Sequence, residues 1–270
     1  MKLAISNIAW NPYEDDAISR LMQMYGVTGV EIAPTKIWPK PLEASGEEIA
    51  AYARSWQSRG LKVSSMQALL FGRPDLTIFE TPEKRHETLE YLKGVIQLGG
   101  RLGAEVLVFG SPKNRLVGDL DREQAEETAI EFFRSIGRAA ADHGTVFCIE
   151  PNPTAYGCDF ITTSAEGRDL VAKVDQPGFG LHLDAAGMTM SQENLESELA
   201  KSIPELCHFH VSEPNLQPIG IGGVNHALFS RTLRTGGYSR WVSVEMRAPG
   251  SAENITGIEN ALRVVMKFYS

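Results

Sequence analysis

CHFHVSEP, residues 207–214, sets two histidines at alternating positions in a short, otherwise apolar run that closes on a glutamate. Alternation with a period of two belongs to a strand, so His208 and His210 share one face of it. Seven further runs of the same kind stand along the chain: LAISNIAW (3–10), GVEIAP (29–34), KVSSMQALL (62–70), EVLVFGSP (105–112), TVFCIEPN (145–152), FGLHLDAAG (179–187) and RWVSVEMR (240–247). A helical pattern follows each run, and the starts are roughly evenly spaced.

Helix start signals lie between the strands. They are Thr81-Pro82, Asp121 with Gln124, Thr163 with Glu166, and Ser191 before QENLESELA, while Gly103, Gly144 and Gly236-Gly237 sit where helices should stop. No Pro-, Gly- or Ser-rich linker divides the chain. Eight β/α units in roughly 250 residues is the usual size of a closed parallel barrel, so residues 1–270 are expected to form one α/β domain, a (β/α)8 TIM barrel. A doubly wound open sheet is the alternative, but no GxGxxG follows the first strand.

Composition narrows the partners. With 26 basic against 34 acidic residues the net charge is −8, which disfavours a protein that grips phosphate backbones and favours a small-molecule partner. Cys148, Cys158 and Cys207 show no CxxC spacing and read as buried free thiols. The N-terminal MKLAISNIAWNPYEDD lacks a basic region followed by a long apolar stretch, and no segment reaches about 18 uninterrupted apolar residues. A cytoplasmic protein without a membrane partner is expected.

In a closed barrel of this kind the loops after the strands build the functional face. The strand endings carry Trp10, Glu31, Gln67, Lys113, Glu150, Asn152, Asp184, His210, Glu213 and Glu245. On the last four strands Glu150 follows VFCI, Asp184 follows GLHL, His210 follows CHF and Glu245 follows WVSV. One acid closing one strand is ordinarily a cap or a solvated loop residue; four ionisable groups in register on consecutive strands are not. Clustered carboxylates repel unless a cation neutralises them. Three carboxylates and one imidazole suit one divalent ion, Mn²⁺ first, with Mg²⁺, Co²⁺ and Zn²⁺ as alternatives. His182 and His208 share parity with Asp184 and His210 and are expected one layer deeper, orienting the ligands.

At these residues the chain resembles the xylose-isomerase-like barrel superfamily of sugar isomerases and epimerases, inosose dehydratases, hydroxypyruvate isomerases and endonuclease IV enzymes. The matching motifs are CIEPNP, LHLDAAG, HFHVSEP and GYSRWVSVEM, supported by GAEVLVFGSP. The resemblance implies that Glu150, Asp184, His210 and Glu245 hold one Mn²⁺-like ion, and that Glu150 and Glu245 exchange the substrate proton from opposite faces through an enediolate. Ketose 3-epimerases of this group carry a histidine three residues after the aspartate and an arginine several residues after the metal histidine. Gly187 and Gln217, or a neighbour of Gln217, occupy those places here. The usual ketose grip is therefore missing.

Lys113 and Arg115 are the natural replacements, able to bind a carboxylate or phosphate. Trp10, Phe71 and Tyr156 offer an apolar wall for a sugar, and Gln67, His182, Glu213 and His226 are further substrate or supporting contacts, though Asn225-His226 also reads as a helix start. The expected function is a metal-dependent isomerase or epimerase of a sugar. A dehydratase is the alternative on the same site, with Lys113, His182 or His226 as donor to a leaving oxygen, and a non-catalytic sugar-binding barrel is the third. A repair nuclease is disfavoured by six histidines in all, no Asp-x-His pair after the seventh strand and an acidic balance. Homodimers and homotetramers are common in the group, and NALRVVMKFYS serves either a final barrel helix or a subunit contact.

Overall fold

Alternation along each strand sorts the side chains into two layers. On the sixth, Phe179, Leu181 and Leu183 join the apolar layer under the helices, leaving His182 and Asp184 for the barrel axis. In the computed structural model, which describes residues 1–250 and 253–270, eight parallel strands close into a barrel in chain order. They are β1 (Lys2–Ser6), β2 (Gly29–Ile32), β3 (Lys62–Met66), β4 (Val106–Phe109), β5 (Val146–Ile149), β6 (Phe179–Asp184), β7 (Leu206–Ser212) and β8 (Trp241–Glu245). β8 pairs back onto β1, with Lys2 opposite Trp241, and so leaves no edge.

Every expected strand is present, and each ends earlier than the sequence pattern does. After β3 the backbone turns at Ala68, whose φ of 55° takes it out of the extended region, and after β1 Asn7–Ala9 form a 3-10 turn capped by Ser6. The caps behave as their chemistry requires. Thr81 accepts from Lys84 N, Asp121 from Gln124 N and Thr163 from Glu166 N. The Ser191 start is corrected: Ser191 ends the short helix Ala185–Met190, and Asn194 caps the next, Leu195–Ser202, by accepting from Ser197 N.

The long helix Arg122–Asp142 shows how the outer layer is held. Its buried positions Ala125, Ala129, Phe132, Phe133, Ile136 and Ala140 recur at three- and four-residue spacing and form one stripe. Phe133 stacks on Phe179 at 4.9 Å between ring centres and meets Phe109 and Phe147 edgewise or tilted. This aromatic cluster joins β4, β5 and β6 to the helix. Among the described residues no helix is long and apolar enough to cross a membrane.

Candidate metal centre and active-site cleft

Strand pairing brings the ionisable residues together. Asp184 lies opposite His210 in the β6–β7 ladder, and a register shift between Leu181 and His182 puts His182 opposite His208 one layer deeper. One ligand atom each from Glu150, Asp184 and His210 lies within 4.8 Å of the other two. Glu245 closes the set from β8, with Oε2 3.4 Å from His210 Nδ1.

Two observations fit this set to a cation. His210 Nδ1 is buried and makes no hydrogen bond, while Nε2 of the same ring is held by Glu31 at 3.0 and 3.1 Å. Burial would lower the pKa of this ring, yet Glu31 and Glu245 raise it well above its usual value, so with Nε2 pinned as a donor it is the Nδ1 proton that a cation would displace to gain a ligand. The carboxylates are crowded as well. Burial, with Asp184 and Glu245 close by, pushes the Glu150 carboxyl up to about 8, and burial with Glu245 raises Asp184 to about 6. Asp184 is nevertheless fixed in place, accepting from Gly187 N at 2.6 Å and from the Ser212 hydroxyl.

Glu31 is the residue that sequence reasoning left without a role. Its side chain is fully buried in β2, where burial would raise its pKa, yet His210, His208 and the Ser65 hydroxyl hold it at about 2. It accepts from Ser65 Oγ at 2.7 Å and from Gln67 Nε2 at 3.0 Å, and Gln67 Nε2 also donates to Ser6 Oγ at 2.7 Å. A glutamate inside a four-residue strand with every residue buried was the available signal. His182 and His208 share a hydrogen bond between their Nδ1 atoms at 3.2 Å, and burial pulls His208 down to about 3 and His182 well below its usual value. Both are wholly buried beneath the ligand layer, with His182 Nε2 3.9 Å from Glu150 Oε1.

Above the ligand set opens a cleft of about 540 Å³, a volume usual for a small-molecule site, roughly 300–1,000 Å³. Gln67, Tyr156 and Glu213 line it together with Glu150, Asp184 and Glu245. The Tyr156 hydroxyl accepts from Asn215 N at 2.9 Å and joins the loops after β5 and β7. Glu213 is committed to its own loop: it accepts from Gly220 N, Val224 N and His226 Nε2, and His226 Nδ1 meets the Tyr269 hydroxyl at 3.1 Å. Asn225 starts its helix as expected, accepting from Leu228 N.

Other expected contacts lie elsewhere. Trp10 is buried and its indole N–H donates to Asp15, so it belongs to the packing under Trp56. Phe71 is exposed beside Leu42 and Pro39, in a different depression. Lys113 faces an outer depression with Phe79, Glu80 and Leu116. Arg115 is fully buried, and its Nη2 donates to the Glu150 carbonyl at 2.6 Å and to Asn152 Oδ1 at 3.1 Å. It braces the end of β5 from behind. Asn152, a strand-ending residue of the expected functional face, lines the cleft, as do Asn215 and Arg247, which the sequence did not single out.

Residues 20–268 match the family model described as xylose isomerase-like TIM barrel. A Synechocystis sp. (strain ATCC 27184 / PCC 6803 / Kazusa) protein named a probable ketose 3-epimerase is 24% identical over 226 residues, which are 82% of this chain and 74% of that protein. D-Psicose 3-epimerase from Clostridium cellulolyticum H10, crystallised with D-tagatose, superposes with a TM-score of 0.81 at 18% identity, over 100% of this chain and 98% of that one. The IOLI protein, crystallised with a zinc atom, gives 0.77 at 21% identity over 100% of both chains. At such identities the structural likeness is one of fold.

Proposed function

The chain belongs to the xylose isomerase-like TIM barrel family, and from that membership we propose that it is a divalent-metal-dependent epimerase or isomerase of a sugar or sugar derivative. The observation that carries the reading is the grouping of Glu150, Asp184 and His210 within 4.8 Å, with a lone nitrogen of His210 turned toward Glu245. Glu150, Asp184, His210 and Glu245 would hold the ion. The oxygen-rich set suits Mn²⁺ first and admits Mg²⁺, Co²⁺ or Zn²⁺. When bound, such an ion supplies positive charge that polarises a carbonyl and its neighbouring hydroxyl.

The chain's own residues divide the remaining work. Glu150 and Glu245 come from β5 and β8, three positions apart in a ring of eight, and both line the cleft, so on this reading they would serve opposite faces of the substrate. One removes the proton next to the carbonyl and the other returns it to the opposite face. Asp184, tied by Gly187 and Ser212, stays a fixed anion and is poorly placed to act as the base. Tyr156, Asn152 and Gln67, which line the cleft, would orient hydroxyls. Dehydration would require a donor at a leaving oxygen. Of the three considered, Lys113 faces outward, His182 lies beneath the ligands and His226 is engaged by Glu213 and Tyr269, which favours proton return over elimination.

Elemental analysis of protein purified without chelator is expected to find about one ion per chain, lost in Asp184→Ala, because a site rarely survives the loss of a ligand. With the ion present, a ketose incubated in deuterated water should take up label at carbon. A protein that neither retains nor rebinds Mn²⁺, Co²⁺ or Zn²⁺ would refute the reading. Glu31→Gln is expected to weaken Mn²⁺ affinity about 10- to 100-fold, as the loss of a carboxylate behind a ligating histidine does. Calorimetric titration of the metal-free protein measures it, and unchanged affinity would mean that Glu31 does not set the His210 ring.

A further inference from the structure

We propose that Arg247 is the specificity-determining cation of the cleft, and that the substrate is an anionic sugar derivative whose carboxylate or phosphate lies above the Glu150, Asp184, His210 and Glu245 layer. The inference rests on the reading of the cleft as a sugar site and adds its charge class. Arg247 follows Glu245 by two residues, just beyond the end of β8, and lines the cleft with it. Its side chain is exposed and makes no hydrogen bond or ion pair among the described residues. It is also the one basic side chain lining the cleft among them, since Lys113 lines an outer depression and Arg115 is wholly buried outside the lining, with its Nη2 on the Glu150 carbonyl and Asn152.

None of the acids lining the cleft pairs with it: Glu150, Asp184 and Glu245 belong to the candidate ligand set, and Glu213 already accepts from Gly220, Val224 and His226. The backbone under Arg247 is anchored, with its N–H donating to the Leu216 carbonyl at 2.9 Å. Asn215 and Leu216 reach that position through φ values of 60° and 56°, a conformation that Leu seldom adopts and that a surrounding structure must enforce. Arg115 adds a second donor. By donating to Asn152 Oδ1 it turns the Asn152 amide N–H₂ group to the open cleft. A free guanidinium fork matches a carboxylate or phosphate, whose oxygens accept two parallel hydrogen bonds, and the Asn152 amide is a further donor lining the same cleft.

The test compares D-fructose, its 6-phosphate and D-fructuronate as substrates of the Mn²⁺-loaded wild type, Arg247→Gln and Arg247→Lys, following label uptake from deuterated water. The wild type is expected to favour one of the anionic ketoses in kcat/KM, and Arg247→Gln to lower that preference about 10- to 100-fold, chiefly through KM, as the loss of a charged hydrogen bond does. Arg247→Lys should restore part of it. The anion preferred distinguishes phosphate from carboxylate. Equal use of the neutral and anionic ketoses by the wild type, or equal losses on all three in Arg247→Gln, would overturn the proposal. Should none of the three exchange, calorimetry with the same compounds still decides it: anion binding lost in Arg247→Gln upholds the cation site while refuting the catalytic reading, and no anion binding refutes the site.

Discussion

Glu150→Gln and Glu245→Gln are each expected to lower kcat by about 10²- to 10⁴-fold, the range that positioned acid–base groups contribute. Glutamine keeps the volume and one oxygen, so the variants separate proton transfer from ion binding, provided metal content is measured alongside. The two losses should differ in kind. On the proposed two-sided mechanism, with one carboxylate from β5 and the other from β8, each variant should still exchange the C–H of the epimer whose proton faces the surviving glutamate. Net epimerisation should fail in both. If both variants retain the ion yet lose exchange on both epimers equally, the two-sided assignment is wrong. A normal kcat in either would remove that residue from the chemistry.

Gly110→Ala is expected to lower kcat by about 10²-fold, the scale of a roughly 1 Å misplacement of a reacting group, and to change stability by less than about 1 kcal/mol. A methyl group on Gly110 would lie 2.3 Å from Glu150 Oε2 and 3.4 Å from Asn152 Oδ1. The atom in the way is the far end of a side chain rather than backbone, so the fold yields cheaply by letting the carboxylate swing aside. That carboxylate is one of the two proposed to move the proton. Steady-state kinetics and a thermal melt on one preparation check both halves. Full activity would show that Glu150 works from another position, and a large fall in melting temperature would assign Gly110 to packing instead.

The strands were legible in the sequence because burial on the axis side and on the helix side obeys one period, as Phe179, Leu181 and Leu183 against His182 and Asp184 show. Their ends were not, because a strand stops where the backbone turns, and residues such as Ala68 take a left-handed φ without any residue-type signal. The grouping of Glu150, Asp184 and His210 followed from parity and strand order alone. Arg115 and Lys113 read alike in sequence, as two basic residues in one loop. They part in space because the short turn Pro112–Arg115 sends one outward and the other beneath Glu150. Glu31 was visible as a strand-end acid, but its partners Ser65, Gln67 and His210 come from β3, the turn after it and β7, and no local pattern reports contacts made across a barrel.

The bonds that tie Glu31 to Ser65, Gln67 and His210, and Gln67 to Ser6, have a bearing on how such a chain can diverge. Five side chains on four strands make one hydrogen-bonded unit, and a buried member cannot lose its partner without leaving a charge or donor stranded. In evolutionary terms they form a single inherited character. A lineage that exchanges Glu31 must pass through compensating changes at the other positions, so these residues should vary together or not at all, while the loops around the cleft remain free to explore new substrates.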